Sequence, residues 1–176
     1  MSDDGSLTMR RAEPRDALEL GDVHVGSWQV AYRGLVPKEF LDALNVEERA
    51  SRYRFGAGES DEPEMWLAAR DHVAVGLVVV GRSRDEDRSA AGEVWALYVA
   101  PANWRSGIGS RLLAKGEELL AERGFTYATL WVLEGNTQGR QFYEGAAWRF
   151  DGTRQTIDVG GHDLSEVRYF KSLSSE

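Results

Sequence analysis

Two neighbouring stretches, Glu93-Val-Trp-Ala-Leu-Tyr-Val99 and Trp104-Arg-Ser-Gly-Ile-Gly109, decide the reading of this chain. Val94 to Val99 is a run of β-branched, aromatic and aliphatic residues, the composition of a buried strand. Pro101 stops it, because proline cannot donate to a sheet ladder. From Ile108 the apolar period changes: Ile108, Leu112, Leu113, Leu119 and Leu120 fall on one helical face. Gly124 stands where a left-handed C-terminal cap is usual. The unit reads as strand, glycine-bearing turn, helix.

That arrangement suits an anion. The first turn of a helix leaves backbone N–H groups without intrahelical partners, and the helix dipole favours negative charge there. Gly107 and Gly109 lack Cβ atoms, so a phosphate can approach the main chain. Arg105 adds a positive charge. The bland alternative is an ordinary strand–helix connection with two turn glycines. Other phosphate-binding patterns fit poorly: the third glycine of G-x-G-x-x-G is Leu112, and no G-x-x-x-x-G-K-[ST] string occurs.

Val99-x-Pro101-x-x-Trp104-Arg-x-Gly107-Ile-Gly109-x-x-Leu-Leu113 resembles motif A of the GCN5-related N-acetyltransferases, the GNAT family. Asn136, Phe142-Tyr143-Glu144 and Glu166-Val-Arg-Tyr169 extend the resemblance over about Leu7 to Leu173. Three positions depart from the family's habit. Trp104 replaces a common Gln or Arg, Gly139 a common Ala, and Ala147-Trp148 a Gly-aromatic pair.

The chain has 176 residues, one domain's length, with 42% hydrophobic and 28% charged residues. Residues 1–6 are polar and acidic and read as a disordered tail, not a signal peptide; residues 7–173 form the domain. No apolar run reaches membrane-spanning length, so no membrane partner is expected and a cytoplasmic location is the default. There are no cysteines, which excludes disulfides, thiolate metal sites and a cysteine acyl-enzyme; no metal site is expected. The net charge of −8 and the lack of a basic run argue against nucleic acid. An acidic surface either steers cationic substrates or simply keeps the protein soluble.

Leu7 to Arg11 reads as an edge strand. A helix from Pro14–Asp16 runs to about Tyr32, followed by short helices at 38–44 and 46–55, the latter capped by Asn45. Residues 56–63 are a loop. Glu64 to Arg70 and His72 to Gly81 form a hairpin turning at Asp71, and Arg82 to Ala91 reads as a solvated mixed-charge tip. Thr126 to Leu133 is a strand, Gln138 to Ala146 a helix, and Trp148–Thr156 with Leu164–Leu173 a closing hairpin. The order predicts a single-domain α/β fold, a mixed sheet flanked by helices. It is also the GNAT order, in which the fourth and fifth strands splay and the pantetheine arm of the cofactor enters the splay.

The resemblance implies acetyl-CoA as co-substrate. It places the cofactor on Leu97, Tyr98 and Val99, on the turn formed by Trp104, Arg105, Ser106, Gly107, Ile108, Gly109 and Ser110, and on Asn136. Asn136 is equally suited to cap the following helix. Arg111 and Lys115 could reach phosphate or simply form a solvated face. Tyr143 matches the family's general acid; its O–H can donate to a departing sulfur without carrying charge, although Phe142-Tyr143 also reads as a packed aromatic pair. Glu93 is the candidate base, placed by strand alternation on the face of Trp95, Leu97 and Val99; a solvated strand-end glutamate is the plainer view. Glu134 and His24 are weaker alternatives. His24, Trp28 and Tyr32 are spaced by four and share a helical face, and the stretch His24-x-x-Ser27-Trp28-x-x-x-Tyr32-x-Gly34-x-x-Pro37 resembles a pattern of some bacterial small-molecule GNATs, including polyamine acetyltransferases. They offer either cation–π contacts for an amine or a core stripe.

The expected activity is acetyl transfer to a primary amine, a small molecule by expectation, by direct attack in a ternary complex. A protein N-terminal or lysine acetyltransferase, or a silent acyl-CoA-binding module, are the alternatives. A homodimer through the closing hairpin is possible.

Overall fold

The computed structural model describes residues 6–56 and 62–173. Residues 1–5 of the expected tail, 57–61 of the expected loop and 174–176 lie outside the described residues. The strands are β1 (Leu7–Arg11), β2 (Glu64–Arg70), β3 (Val73–Arg82), β4 (Gly92–Val99), β5 (Tyr127–Leu133), β6 (Arg149–Val159) and β7 (His162–Ser172). The helices are α1 (Ala17–Ala31), α2 (Lys38–Asp42), α3 (Val46–Ser51), α4 (Ile108–Glu122) and α5 (Thr137–Gly145). The seven strands form one sheet in the order β1-β2-β3-β4-β5-β7-β6. All neighbours are antiparallel except β4 and β5, which run parallel. Among the described residues no helix is long and apolar enough to cross a membrane.

The parallel pair meets in only two places, Gly92 with Ala128 and Glu93 with Thr129. Beyond Glu93 the two strands part. This is the expected splay, and it opens the middle of the sheet toward the C-terminal end of β4.

Helix α4 covers one face. Ile108, Leu112, Leu113, Leu119 and Leu120 are all buried, against Val78, Val80, Leu130 and Val167. Burying side chains of this size is worth about 1.5–3 kcal/mol each, so α4 is fixed by its apolar stripe. The opposite face is covered by α1, whose Leu20 and Val23 pack on Leu67, Ala69 and Leu77.

Strand β4 carries a bulge. Val79 and Val80 of β3 face Ala96 and Val94, leaving Trp95 as an extra residue. Alternation therefore does not run through the strand. Leu97 and Val99 pack on the α4 side, whereas Tyr98 packs on the α1 side. Glu93 lies between Val94, in the α4-side core, and Gly92, whose missing Cβ would meet Leu120. It therefore points to the α1 side, with Tyr98, and not to the face of Leu97 and Val99 that strict alternation predicts.

Other boundaries shift for local reasons. Asn45 caps α3, accepting a 2.7 Å bond from the Glu48 N–H, but α3 stops at Ser51 rather than running to Phe55. Tyr53 and Phe55 leave the helix to pack beside Leu20 and Leu77. Ala147 is held at φ 66°, left-handed backbone in which glycine is favoured, at the position where the family's usual residue is Gly.

The segment from Arg82 to Ala91 is not a free tip. Arg168 of β7, 2% exposed in its side chain, reaches into it. Its guanidinium donates to Asp85 at 3.0 Å and to both carboxylate oxygens of Asp87 at 2.8 Å. It also bonds Asp151 at 2.7 Å and the Thr153 hydroxyl at 3.0 Å. The Trp131 indole N–H adds a 3.1 Å bond to Asp85. The charges that make this loop look solvated are the ones that tie it down.

Candidate active site

The splay holds a cavity of about 810 Å³ that passes from the β4–α4 turn to the far ends of α1, β6 and β7. Its lining comes mainly from the turn before α4, the inner edges of β4 and β5, α5, the 82–91 loop, and a wall from α1, β6 and β7.

At the first end lie Asn103, Trp104, Arg105, Gly107, Gly109 and Ser110. The chain enters α4 through two left-handed residues, Arg105 at φ 60° and Gly107 at φ 80°. Gly107 is the N-cap of α4 and no side chain caps it, so the first-turn N–H groups remain available. A Cβ at Gly107 would meet nothing within 4 Å; the space in front of it is open, as an incoming phosphate requires. Trp104, in place of the common Gln or Arg, donates its indole N–H to the Val99 carbonyl at 2.7 Å and braces the exit of β4. Two residues of the expected set turn away. Ser106 donates to the Asn103 carbonyl at 2.5 Å, and Ile108 is 1% exposed in the core. Lys115 pairs with Glu118 and lies over the Trp66 ring, away from the cavity.

Leu97, Tyr98 and Val99 line the middle, facing Trp131 to Leu133 across the gap. Asn136 sits at the start of α5. Its Oδ1 accepts the Gly139 N–H at 3.0 Å, leaving its amide NH₂ as a donor beside the cavity. A Cβ at residue 139 would come within 2.6 Å of that NH₂, so the family's commoner alanine would require the Asn136 side chain to shift.

Tyr143, on α5, also lines the cavity. Its ring packs edge-on against Phe142 and Trp148, with centroids at 5.2 and 6.4 Å. Its hydroxyl makes no hydrogen bond to other described residues. Burial pushes the phenol above its ordinary value, so at neutral pH it is a proton donor.

The second end is aromatic and charged. Trp28 and Tyr32 line it, their rings 4.8 Å apart, and burial pushes Tyr32 well up as well. His24 does not line the cavity. It stacks on Tyr98 with centroids at 4.3 Å and meets the Tyr53 hydroxyl at 3.1 Å. That hydroxyl donates to the Leu20 carbonyl at 3.2 Å, an arrangement that pairs with the Nδ1–H tautomer of His24. Its Nε2 is buried without a partner, and burial pushes its pKa down to about 3.

Glu93 lines the cavity but is 1% exposed. One carboxylate oxygen takes Arg84 Nη2 and, at 3.1 Å, Arg84 Nε; the other takes the Arg84 backbone N–H at 2.8 Å. The Arg84 guanidinium lies over the Trp95 ring at 4.6 Å. Glu134 is held by Arg154 and the Ser165 hydroxyl, which keep it below the usual carboxylate range.

Sequence reasoning passed over Arg84, Asp85, Gln155 and, as a site residue, Glu166, all of which line the cavity. A signal existed for Glu166. It alternates with Arg168 on one face of a strand paired on both sides, where charges are expensive without a purpose.

The model of the acetyltransferase (GNAT) family matches residues 28–147. The chain belongs to that family. It is 31% identical over 131 residues to the uncharacterized N-acetyltransferase YuaI of Bacillus subtilis, covering 74% of this chain and 73% of that one. It is 22% identical over 172 residues to the spermidine N(1)-acetyltransferase of Thermoplasma acidophilum, covering 95% and 99%. Its fold matches the crystal structure of the PaiA N-acetyltransferase of Thermoplasma acidophilum in complex with coenzyme A, with TM-score 0.74, 20% identity and coverage of 95% and 99%. This GNAT protein is accordingly an acetyl-CoA-dependent N-acetyltransferase.

Proposed function

We propose that the enzyme acetylates a primary amine of a small molecule by direct attack on acetyl-CoA in a ternary complex. The observation that carries this reading is the single continuous cavity, in which the α4 turn, the unbonded Tyr143 hydroxyl and the aromatic wall of Trp28 and Tyr32 share one space. The turn from Trp104 to Ser110 takes the pyrophosphate on its backbone, with Arg105 beside it. The edge of β4 from Leu97 to Val99 and the amide of Asn136 take the pantetheine arm.

The amine attacks the thioester carbonyl, a C–N bond forms, and the C–S bond breaks. Tyr143 donates its proton to the departing sulfur. With its phenol held protonated by burial, it arrives at this step with the proton in place. Glu93 is spent on Arg84, and we assign it to holding that arginine against Trp95 rather than to proton transfer. The Thermoplasma relative is a spermidine N(1)-acetyltransferase, and that together with the aromatic lining of the acceptor end favours a small amine over a protein surface.

The test is acetyl-CoA-dependent thiol release against pooled polyamines, amino acids, aminoglycosides and short peptides, with wild type and Tyr143→Phe. A pool-specific signal that collapses in the variant is expected. A signal confined to the short peptides would overturn the proposal in favour of a protein acetyltransferase.

A further inference from the structure

Among the described residues, one carboxylate at the acceptor end of the cavity has no ion-pair partner. Three carboxylates line that end: Asp85, Glu93 and Glu166. Asp85 is bound by Arg168 and Trp131, and Glu93 by Arg84. Glu166 forms no ion pair among the described residues. Among the described residues its one side-chain hydrogen bond comes from the Gln155 amide, at 2.9 Å to Oε2, and Oε1 has no donor. Strand β7 places Glu166 opposite Leu133 on β5 and Gln155 on β6, at the wall the splay exposes. Tyr32 and Tyr98 are near enough for its charge to weigh on both phenols, and Tyr32 in turn feels Tyr143.

We infer that Glu166 is where the acceptor's ammonium group docks, and that its carboxylate takes the proton this nitrogen must lose before it attacks. The inference rests on the acetyltransferase reading and deepens it by naming the substrate class, a cationic alkyl amine without a carboxylate close to the amine. Such a substrate supplies the missing positive charge, with the rings of Trp28 and Tyr32 alongside for its alkyl part and any second cation. A zwitterion would bring its own carboxylate to a wall that already has one too many.

The proton balance closes. The ammonium gives one proton to Glu166, and the neutral amine forms the C–N bond. As the C–S bond breaks, the thiolate takes the Tyr143 proton. The nitrogen, positively charged after attack, returns its second proton to Tyr143. Glu166 releases its proton to solvent, so one proton leaves per turnover.

The groups facing Glu166 are Gln155 from β6, Arg84 and Asp85 from the 82–91 loop, Glu93 and Tyr98 from β4, and Tyr32 from α1. Desolvation by burial, with Glu93 and Asp85 behind it, pushes its pKa up against the pull of Gln155 and Arg84. That brings a carboxylate closer to the range useful to a base.

The experiment compares wild type, Glu166→Gln and Glu166→Asp on spermidine, propylamine and β-alanine, as kcat/KM against pH. Wild type is expected to favour spermidine and propylamine over β-alanine. Glu166→Gln is expected to lose about 100-fold or more in kcat/KM for the two cationic amines, with the acetyl-CoA KM unchanged. The lowest-pH inflection of the wild-type profile should vanish, and Glu166→Asp should restore part of the rate. Full activity and an unchanged profile in Glu166→Gln would overturn the inference while leaving the acetyltransferase reading intact. If wild type transfers acetyl to none of the three, calorimetric titration of the CoA-saturated protein with spermidine decides. Binding that Glu166→Gln abolishes supports the docking site, and binding that is absent, or equal in both, overturns it.

Discussion

At one end of the cavity the wall from Asn103 to Ser110 comes from a single turn of chain, much of its chemistry lying in backbone N–H groups and left-handed φ angles. At the other end the wall is assembled from α1, β4, the 82–91 loop, β6 and β7, and its chemistry lies in side chains. A backbone site is specified locally, needs few particular residues, and suits a ligand part that does not vary. A side-chain site assembled from distant segments can be retuned one residue at a time. The difference fits an enzyme with a fixed acyl donor and an acceptor of its own.

Substitutions can break or sharpen that contrast. The largest effect is expected where the ends meet: Tyr143→Phe should lower kcat by about 100-fold or more with acetyl-CoA affinity unchanged by calorimetry. Full activity would remove Tyr143 from the mechanism. Next comes Arg168→Met, which takes from the part-buried Asp85 its cation and leaves Asp151 only the longer 3.5 Å contact with Arg88. Breaking a buried pair in this way costs about 3–5 kcal/mol, read as denaturant stability. Among the molecules that remain folded, the amine KM should rise and the acetyl-CoA KM should not; equal rises would erase the distinction between the ends.

Gly107→Val should act the other way round. A side chain held at φ 80° costs about 1–3 kcal/mol in strain, and its bulk fills the open space before the turn. The acetyl-CoA KM should rise about tenfold or more, each tenfold step being 1.4 kcal/mol. Gly109→Ala is the milder control, since its Cβ would sit at an ordinary 3.5 Å from Phe142. It should fold normally and report on the ligand alone. An unchanged KM in Gly107→Val would sink the phosphate cradle.

The smallest effect concerns the support beneath the acceptor end. His24 is buried neutral, with its pKa pushed from 6.5 down to about 3. Below pH 6.5 the unfolded chain binds a proton that the folded chain refuses, so the stability is present above that pH and is lost as pH falls toward 3. The slope from this group is about 1.4 kcal/mol per pH unit. Between pH 6.5 and 5, His24→Phe should flatten the curve of stability against pH. A slope that persists in the variant would mean His24 is not its source.

What could be read from the chain follows the same divide. The β4–α4 unit was legible because a glycine N-cap and a 3.6-residue apolar period are local signals. The Asn45 cap was legible for that reason too. Arg168 was not, because its partner Asp85 lies 83 residues away, and nothing in RSRDEDRSAA distinguishes a tethered loop from a solvated one. The face of Glu93 was misjudged because one extra residue, Trp95, breaks the alternation, and a bulge leaves no mark in composition. Glu166 was visible within a motif, yet its role depends on which neighbouring charges are already satisfied, and that is a property of the assembled fold.

The two-rung contact between β4 and β5 has a mechanical side. It joins the two halves of the sheet at Gly92 and Glu93, a hinge in the geometric sense only. At about 3.3 Å per residue the lever from Glu93 to Val99 is roughly 20 Å long, so a rotation of about 3° at the hinge moves its tip by about 1 Å. A Cβ at Gly92 would press on Leu120 of α4 at 2.8 Å. A residue that lines no part of the cavity thus sits at the join from which the two walls diverge.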